Sequence, residues 1–400
     1  MLRTVTLVLA ALALLLATVA HATSSRQRAL GGAPDLVDDE AGVLRWYGTL
    51  LDHPDQVSLH LGDWAHDLGG AAPDHVSGRH GGIHARLDGA GHWGTVAMHF
   101  GEDLPAPDPG GWFQTMWGRR FGDVSLAATF RATSWSDATS SPDQPLVGGS
   151  RFIHLLGLGA SWRLSTASRL DLAVDAMESE VDFYRRGDTN PVSEEDLGEW
   201  DSFGARGRLF HRLTDEVTWV GRLAWFRDLR PITDEDFDDL VDFDADHFRG
   251  GFGFHLRPDP RHLVVVTGDY RRLEDERRAR HPDSARWHRS WRQWWRIDAR
   301  VAVEARVRPW LTLRASASYR RHVNEQQRVL TSDVGPEAVS YHYRVRVDTP
   351  VVVGVGFEMG RVTADVVVNA TAPLEIGDGV GGFDDGNHTN LTGVTLRYEW

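Results

Sequence analysis

The chain of 400 residues contains no cysteine. That excludes a disulfide scaffold, thiolate ligation of zinc or iron–sulfur clusters, and a cysteine nucleophile. It contains no lysine either, so all 43 Lys+Arg positions are arginine. Positive charge is in deficit: 43 basic against 57 acidic side chains leave a net charge of −14. A general nucleic-acid binder, which needs a basic surface for phosphates, is excluded on that ground. Beyond the amino-terminal segment no apolar run reaches the roughly 18–20 residues of a spanning helix, and the mean hydropathy is −0.35. A polytopic helical membrane protein is therefore excluded. A membrane β-barrel is not, because it shows lipid only every second residue. Enzyme signatures are also sparse. There is no His-Glu-x-x-His, and Gly250-Gly251-Phe252-Gly253 falls on an expected strand rather than before a helix, which argues against a phosphate cradle.

Residues 1–22 read as a secretory signal. Arg3 supplies the charged start, Val5 to Val19 the apolar stretch, and Ala20-His21-Ala22 a small-x-small cleavage site. Residues 23–55 form a separate amino-terminal, periplasmic segment. Leu36, Val37, Val43, Leu44, Tyr47, Leu50 and Leu51 recur near helical spacing, which predicts one short amphipathic helix packed at a mouth of the domain formed by residues 56–400.

From residue 56 to 400 the pattern changes to period two. Ile297, Ala299, Val301, Val303, Ala305 and Val307 alternate with Arg296, Asp298, Arg300, Ala302, Glu304 and Arg306. Leu311 to Arg320, Tyr341 to Phe357 and Val362 to Ala370 repeat the alternation. About sixteen strands can be placed in this way. The connections alternate short and long: Arg308-Pro309 and Met359-Gly360 are short, whereas 179–199, 230–246, 324–340 and 373–389 are long. Strands of about ten residues can cross a bilayer when tilted. Backbone groups in lipid must all be paired, which forces closure into a barrel.

The last strand alternates Val394, Leu396, Tyr398 and Trp400 against Thr395, Arg397 and Glu399, and the sequence ends on Trp400. This terminus resembles the assembly signal of Gram-negative outer-membrane β-barrels. The resemblance implies an all-β, closed antiparallel transmembrane barrel, porin-like, with short periplasmic turns and long external loops in the cell outer membrane. It implies lipid, lipopolysaccharide and the barrel assembly machinery as partners, and it allows a homo-trimer.

If the apolar face meets lipid, the other face lines the lumen, where arginines outnumber carboxylates. Arg206, Arg208, Arg222, Arg300, Arg314, Arg344, Arg346, Asp298 and Glu304 are the expected lumen and selectivity residues. A turn at Arg308-Pro309 sets Glu304 against Arg314, an opposite-charge pair. The turn after Leu213 sets Arg222 against Arg206 or Arg208, two like charges that require a carboxylate, water or an anion nearby. Arginine suits carboxylate or phosphate because its planar fork donates two parallel hydrogen bonds. The expected function is a channel for small, preferably anionic solutes. The alternatives are an export conduit for an anionic exopolysaccharide and a barrel-rim hydrolase using Asp74-His75 or Asp246-His247. No enzyme activity, cofactor or metal centre is expected; the acidic runs at 179–199 and 230–246 lack the EF-hand spacing for Ca²⁺.

Overall fold

The computed structural model describes residues 24–30, 36–37, 40–61, 79–88, 92–103, 110–137, 146–185, 193–195, 202–228, 232–234, 237–280, 287–332, 335–369 and 391–400. The expected secretory signal, the candidate pair Asp74-His75 and much of the expected loops at 179–199 and 373–389 lie outside the described residues.

Sixteen staves form one antiparallel sheet among the described residues. In chain order they are β1 Gln56–Leu61, β2 Arg79–Arg86, β3 Thr95–Asp103, β4 Gly110–Phe121, β5 Val124–Asp137, β6 Leu146–Arg163, β7 Ser168–Arg185 and β8 Ser202–Arg212. Next come β9 Val217–Asp228, β10 Phe237–Asp259, β11 His262–Arg280, β12 Trp287–Arg308 and β13 Leu311–Ser332. β14 runs in two parts, Gly335–Asp348 and Val351–Met359, and β15 Val362–Asn369 and β16 Leu391–Glu399 complete the set. Two further short strands, Ser193–Glu195 and Ile232–Asp234, pair beside β7 and β10. Closure comes from β1, which pairs with β2 on one side and β16 on the other. No sheet edge is then left at the seam.

The break in β14 has a local cause. Pro350 has no N–H to donate, so the ladder lapses between Asp348 and Val351. Arg320↔Asp348 and Ala317↔Val351 nevertheless keep a single register, and Ser318 N donates to Pro350 O at 3.0 Å. At one end of the barrel the chain reverses through short turns, several of two residues. Gly122 and Gly360, at φ 59° and 65°, occupy left-handed positions in two of these turns, which glycine alone adopts freely.

The other end is uneven. β1, β2, β3, β15 and β16 have six to nine residues, while β10, β12 and β13 have 22 or 23. This corrects the expected loops. The acidic run from Phe237 onward is strand, and the expected loop at 324–340 is a hairpin of β13 and β14 turning after Ser332. The hairpin ladder pairs the backbone of this polar stretch.

The two faces differ as the alternation requires. Outward positions carry exposed Leu158, Leu172, Val174, Leu223, Phe252, Val301, Val303 and Leu313. Exposed Trp162, Trp310 and Trp400 lie at the short-turn end. A band of this size facing water would be untenable; in a bilayer it meets acyl chains, with aromatics at the interface. The chain is thus a membrane-spanning β-barrel. Inward positions carry buried Gln114, Thr129, Thr133, Ser161, Thr267, Ser316, Thr363 and Thr395.

Candidate functional site: an occupied lumen

A sixteen-stranded barrel is wide enough to leave an aqueous channel. Here its own amino-terminal segment occupies much of that space. The amphipathic helix expected over 35–51 does not form with that span. A helix, α1, covers Ser24–Ala29, and two 3-10 turns cover Glu40–Leu44 and Tyr47–Asp52. Gly42 and Gly48 weaken a continuous helix by about 1 kcal/mol each, and the apolar side chains find partners on several walls instead of one face.

α1 is held at three points. Ser25 Oγ and Thr395 Oγ1 share a hydrogen bond of 2.7 Å. Arg26 donates two bonds to Glu304, at 2.6 and 3.0 Å. Ala29 sits where Gly354 leaves room; a Cβ there would come within 2.6 Å of Ala29 Cβ. Leu30 and Val37 pack with Leu263, Val265 and Ala302, and Leu36 packs with Val220 and Phe210. The Leu36 carbonyl lies 2.7 Å from His255 Nε2.

Val43, Leu44, Tyr47 and Leu50 form the largest cluster, with Ala97, Trp112, Met116, Ala127 and Ala173 of the wall. Burying each such side chain contributes about 1.5–3 kcal/mol. Glycines on β6 admit the segment. A Cβ at Gly159 would stand 2.8 Å from Gly48 N and from Tyr47 Cβ, and one at Gly157 would clash with the Tyr47 ring. Tyr47 Oη donates to Asp175 Oδ1 at 2.7 Å. Burial first, and then the Asp175 charge, raise the Tyr47 phenol well above its ordinary pKa, so it remains a neutral donor.

The expected lumen arginines fall into two groups. Arg206 pairs with Asp175, and its Nε donates to the Arg45 carbonyl at 2.8 Å. Arg208 Nε lies 2.8 Å from Asp171 Oδ2, and its guanidinium covers the Trp46 ring at 4.6 Å. Both therefore brace the inserted segment. Arg208 is the residue that faces Arg222 in the ladder. Arg222 turns away to Asp269, which also holds Arg249 at 3.2 Å. Arg296 and Arg300 both reach Asp298 at 2.6 Å. Glu304 faces Arg314 in register and accepts its Nε at 2.7 Å, and Arg314 also reaches Asp365. Arg344 and Arg346 stand exposed on β14.

Two of these contacts cross a whole stave, and glycine clears each path. Arg222 on β9 reaches Asp269 on β11 over Gly251, where a Cβ would lie 3.0 Å from Arg222 Nε. Arg314 on β13 reaches Asp365 on β15 over Gly356, where a Cβ would lie 2.6 Å from Arg314 Nη1. Asp269 was not among the expected lumen residues. Its strand reads Leu263, Val265 and Thr267 on one face and Val264, Val266 and Gly268 on the other, so both faces look alike. Trp46 and Tyr47 were also missed as lumen residues; the helical spacing around them concealed that they would be divided among several walls.

At the seam, Val394, Leu396 and Tyr398 face Leu61, Leu59 and Val57 of β1. Trp400 N donates to Asp55 O at 3.1 Å.

No protein-family model matches the chain, and no curated protein matches its sequence. Among solved structures, CdiB from Escherichia coli aligns with TM-score 0.47 at 11% identity, over 87% of this chain and 63% of that one. The Pseudomonas putida toluene transporter TodX aligns with TM-score 0.41 at 11% identity, over 96% and 97%. The siderophore receptor PiuA from Acinetobacter baumannii aligns with TM-score 0.41 at 10% identity. The chain spans 49% of PiuA and 63% of CdiB.

Proposed function

We propose that this chain is an outer-membrane channel for small anionic solutes, closed in this state by the described residues of its amino-terminal segment, 24–30, 36–37 and 40–52. The observation that carries the reading is the charge balance on the inner wall. On β9 to β12, Arg222, Arg249, Arg271, Arg296 and Arg300 gather around Asp269 and Asp298. A lumen with excess guanidinium lowers the electrostatic barrier for anions and raises it for cations. Closure rests on apolar packing of the segment against the wall and on polar anchors such as Arg26 to Glu304 and Tyr47 to Asp175, with no covalent link.

Planar-bilayer recordings test this. The wild-type chain gives low conductance. The double variant Arg26→Ala/Tyr47→Phe, which frees two anchors, gives larger and more frequent openings whose reversal potential in a salt gradient favours the anion. Cation preference in the opened channel would overturn the reading.

A further inference from the structure

We propose that the inner wall carries a binding site for a compact, multiply charged oxyanion, a phosphate or phosphate ester, built from Arg271, Arg296 and Arg300. It deepens the channel reading, on which it rests, by naming a solute class and the place where that solute rests.

The ladder sets the geometry. Arg249, Arg271 and Arg296 stand directly opposite one another on the adjacent staves β10, β11 and β12. Neighbouring staves are about 4.8 Å apart. Like charges in direct opposition are destabilising in a sheet. One row toward the short-turn end, Asp269 opposes Asp298, and one row further Thr267 opposes Arg300. With Arg222 over Gly251, five guanidinium groups converge on the carboxylates of Asp269 and Asp298. The next ion pair toward the long-strand end, Arg292 with Asp275, is neutral in itself. Between them lies the apolar layer of Ala245, Leu273 and Trp294.

These charges are withdrawn from water. Arg296 is 2% and Arg300 3% exposed. Buried cations are tolerated when paired and fully hydrogen-bonded. Here Arg296 Nη1, Arg300 Nε and Arg300 Nη1 find no hydrogen-bond partner, nor does Arg271 Nε, 3.5 Å from Asp269 Oδ2. Asp269 Oδ1 is likewise without a hydrogen bond. Four unused N–H donors on two neighbouring staves, in a field of net positive charge, match what one phosphate group offers: several acceptor oxygens and two or more negative charges. A lipid headgroup is the wrong source, since the patch faces the lumen and not the bilayer.

The test is equilibrium binding of pyrophosphate, and separately of inorganic phosphate, to the detergent-solubilised full chain. Folding is monitored by the faster gel mobility of the unboiled barrel. The wild-type chain binds pyrophosphate saturably and unfolds at higher temperature in its presence. Arg296→Gln and Arg271→Gln bind at least tenfold more weakly while keeping the fast-migrating form. Arg344→Gln, on the exposed part of β14, binds like wild type. Absence of saturable binding by the wild-type chain overturns the site even if the variants misfold, as does equal binding by all four chains. Anion-selective current without pyrophosphate binding sinks the site and spares the channel. Pyrophosphate binding without any current does the reverse.

Discussion

Arg208 and Arg222 face each other across the ladder between β8 and β9, and each directs its charge to a different carboxylate. Arg208 turns to Asp171 on β7, and Arg222 crosses β10 to Asp269 on β11. The crossing depends on Gly251, whose missing side chain is the gap that Arg222 fills. Gly251→Val closes this path and leaves buried Asp269 short of one cation. Losing a charged, buried hydrogen bond costs about 1–3 kcal/mol. The variant is expected to unfold at a lower urea concentration in lipid vesicles. Gly250→Val, on the outer face in ordinary contact with Leu223 and Phe248, is the control and should lie near wild type. Equal midpoints for the two variants would remove glycine's role in the crossing.

The Tyr47 anchor has a pH signature. Its folded-state pKa is raised, by burial and then by Asp175, above the roughly 10 of an unfolded tyrosine. A raised pKa means that the folded state holds the proton more tightly. The stabilisation is then fully present below about pH 10 and declines as pH rises beyond it. Conductance of the wild-type chain should accordingly be flat between about pH 7 and pH 9 and increase at more alkaline pH. Tyr47→Phe should conduct more than wild type at neutral pH and lose this alkaline rise. A rise of the same size in Tyr47→Phe would assign it to another group.

The carboxy-terminal seam makes a separate demand. Trp400 closes the register of β16 on β1 through the Asp55 carbonyl, and Leu396 and Trp400 are exposed on the outside. Trp400→Ala together with Tyr398→Ala leaves every inward contact of Thr395 and Arg397 in place. The expected result is a severalfold lower yield of the fast-migrating barrel in outer-membrane fractions, with unchanged refolding of purified chain into detergent. Loss of both yields equally would make the terminus a packing element and not an assembly signal.

The barrel was legible in the sequence because lipid and lumen impose opposite chemistries on alternate residues, and β12 obeys this for most of its length. Hairpin register was legible too: the turn at Pro309 fixes Glu304 opposite Arg314, and the structure has that pair. What fills the lumen was not legible. Leu36, Val43, Tyr47 and Leu50 carry a helical period, yet they pack on different staves, and only the closed wall decides which. Asp269 was invisible for a related reason. β11 is apolar on both faces, on one side for lipid and on the other for Leu30 and Val37, so its parity could not be assigned without the inserted segment.

That same two-faced logic gives the sharpest check on the membrane assignment. Val301 and Val307 lie on the outer face of β12 with nearly equal exposure, 50% and 51%. Val307 is next to the short turn that carries Trp310, while Val301 lies deeper in the apolar band. On the surface of a soluble protein, arginine at either position would cost little. In a bilayer the cost depends on depth: about 2–4 kcal/mol near the midplane and about 0–1 kcal/mol near the interface. Val301→Arg should therefore lower stability in vesicles by several times more than Val307→Arg, with both changes shrinking in detergent micelles. Matching losses at the two positions would mean that the outer face of β12 does not lie across a membrane.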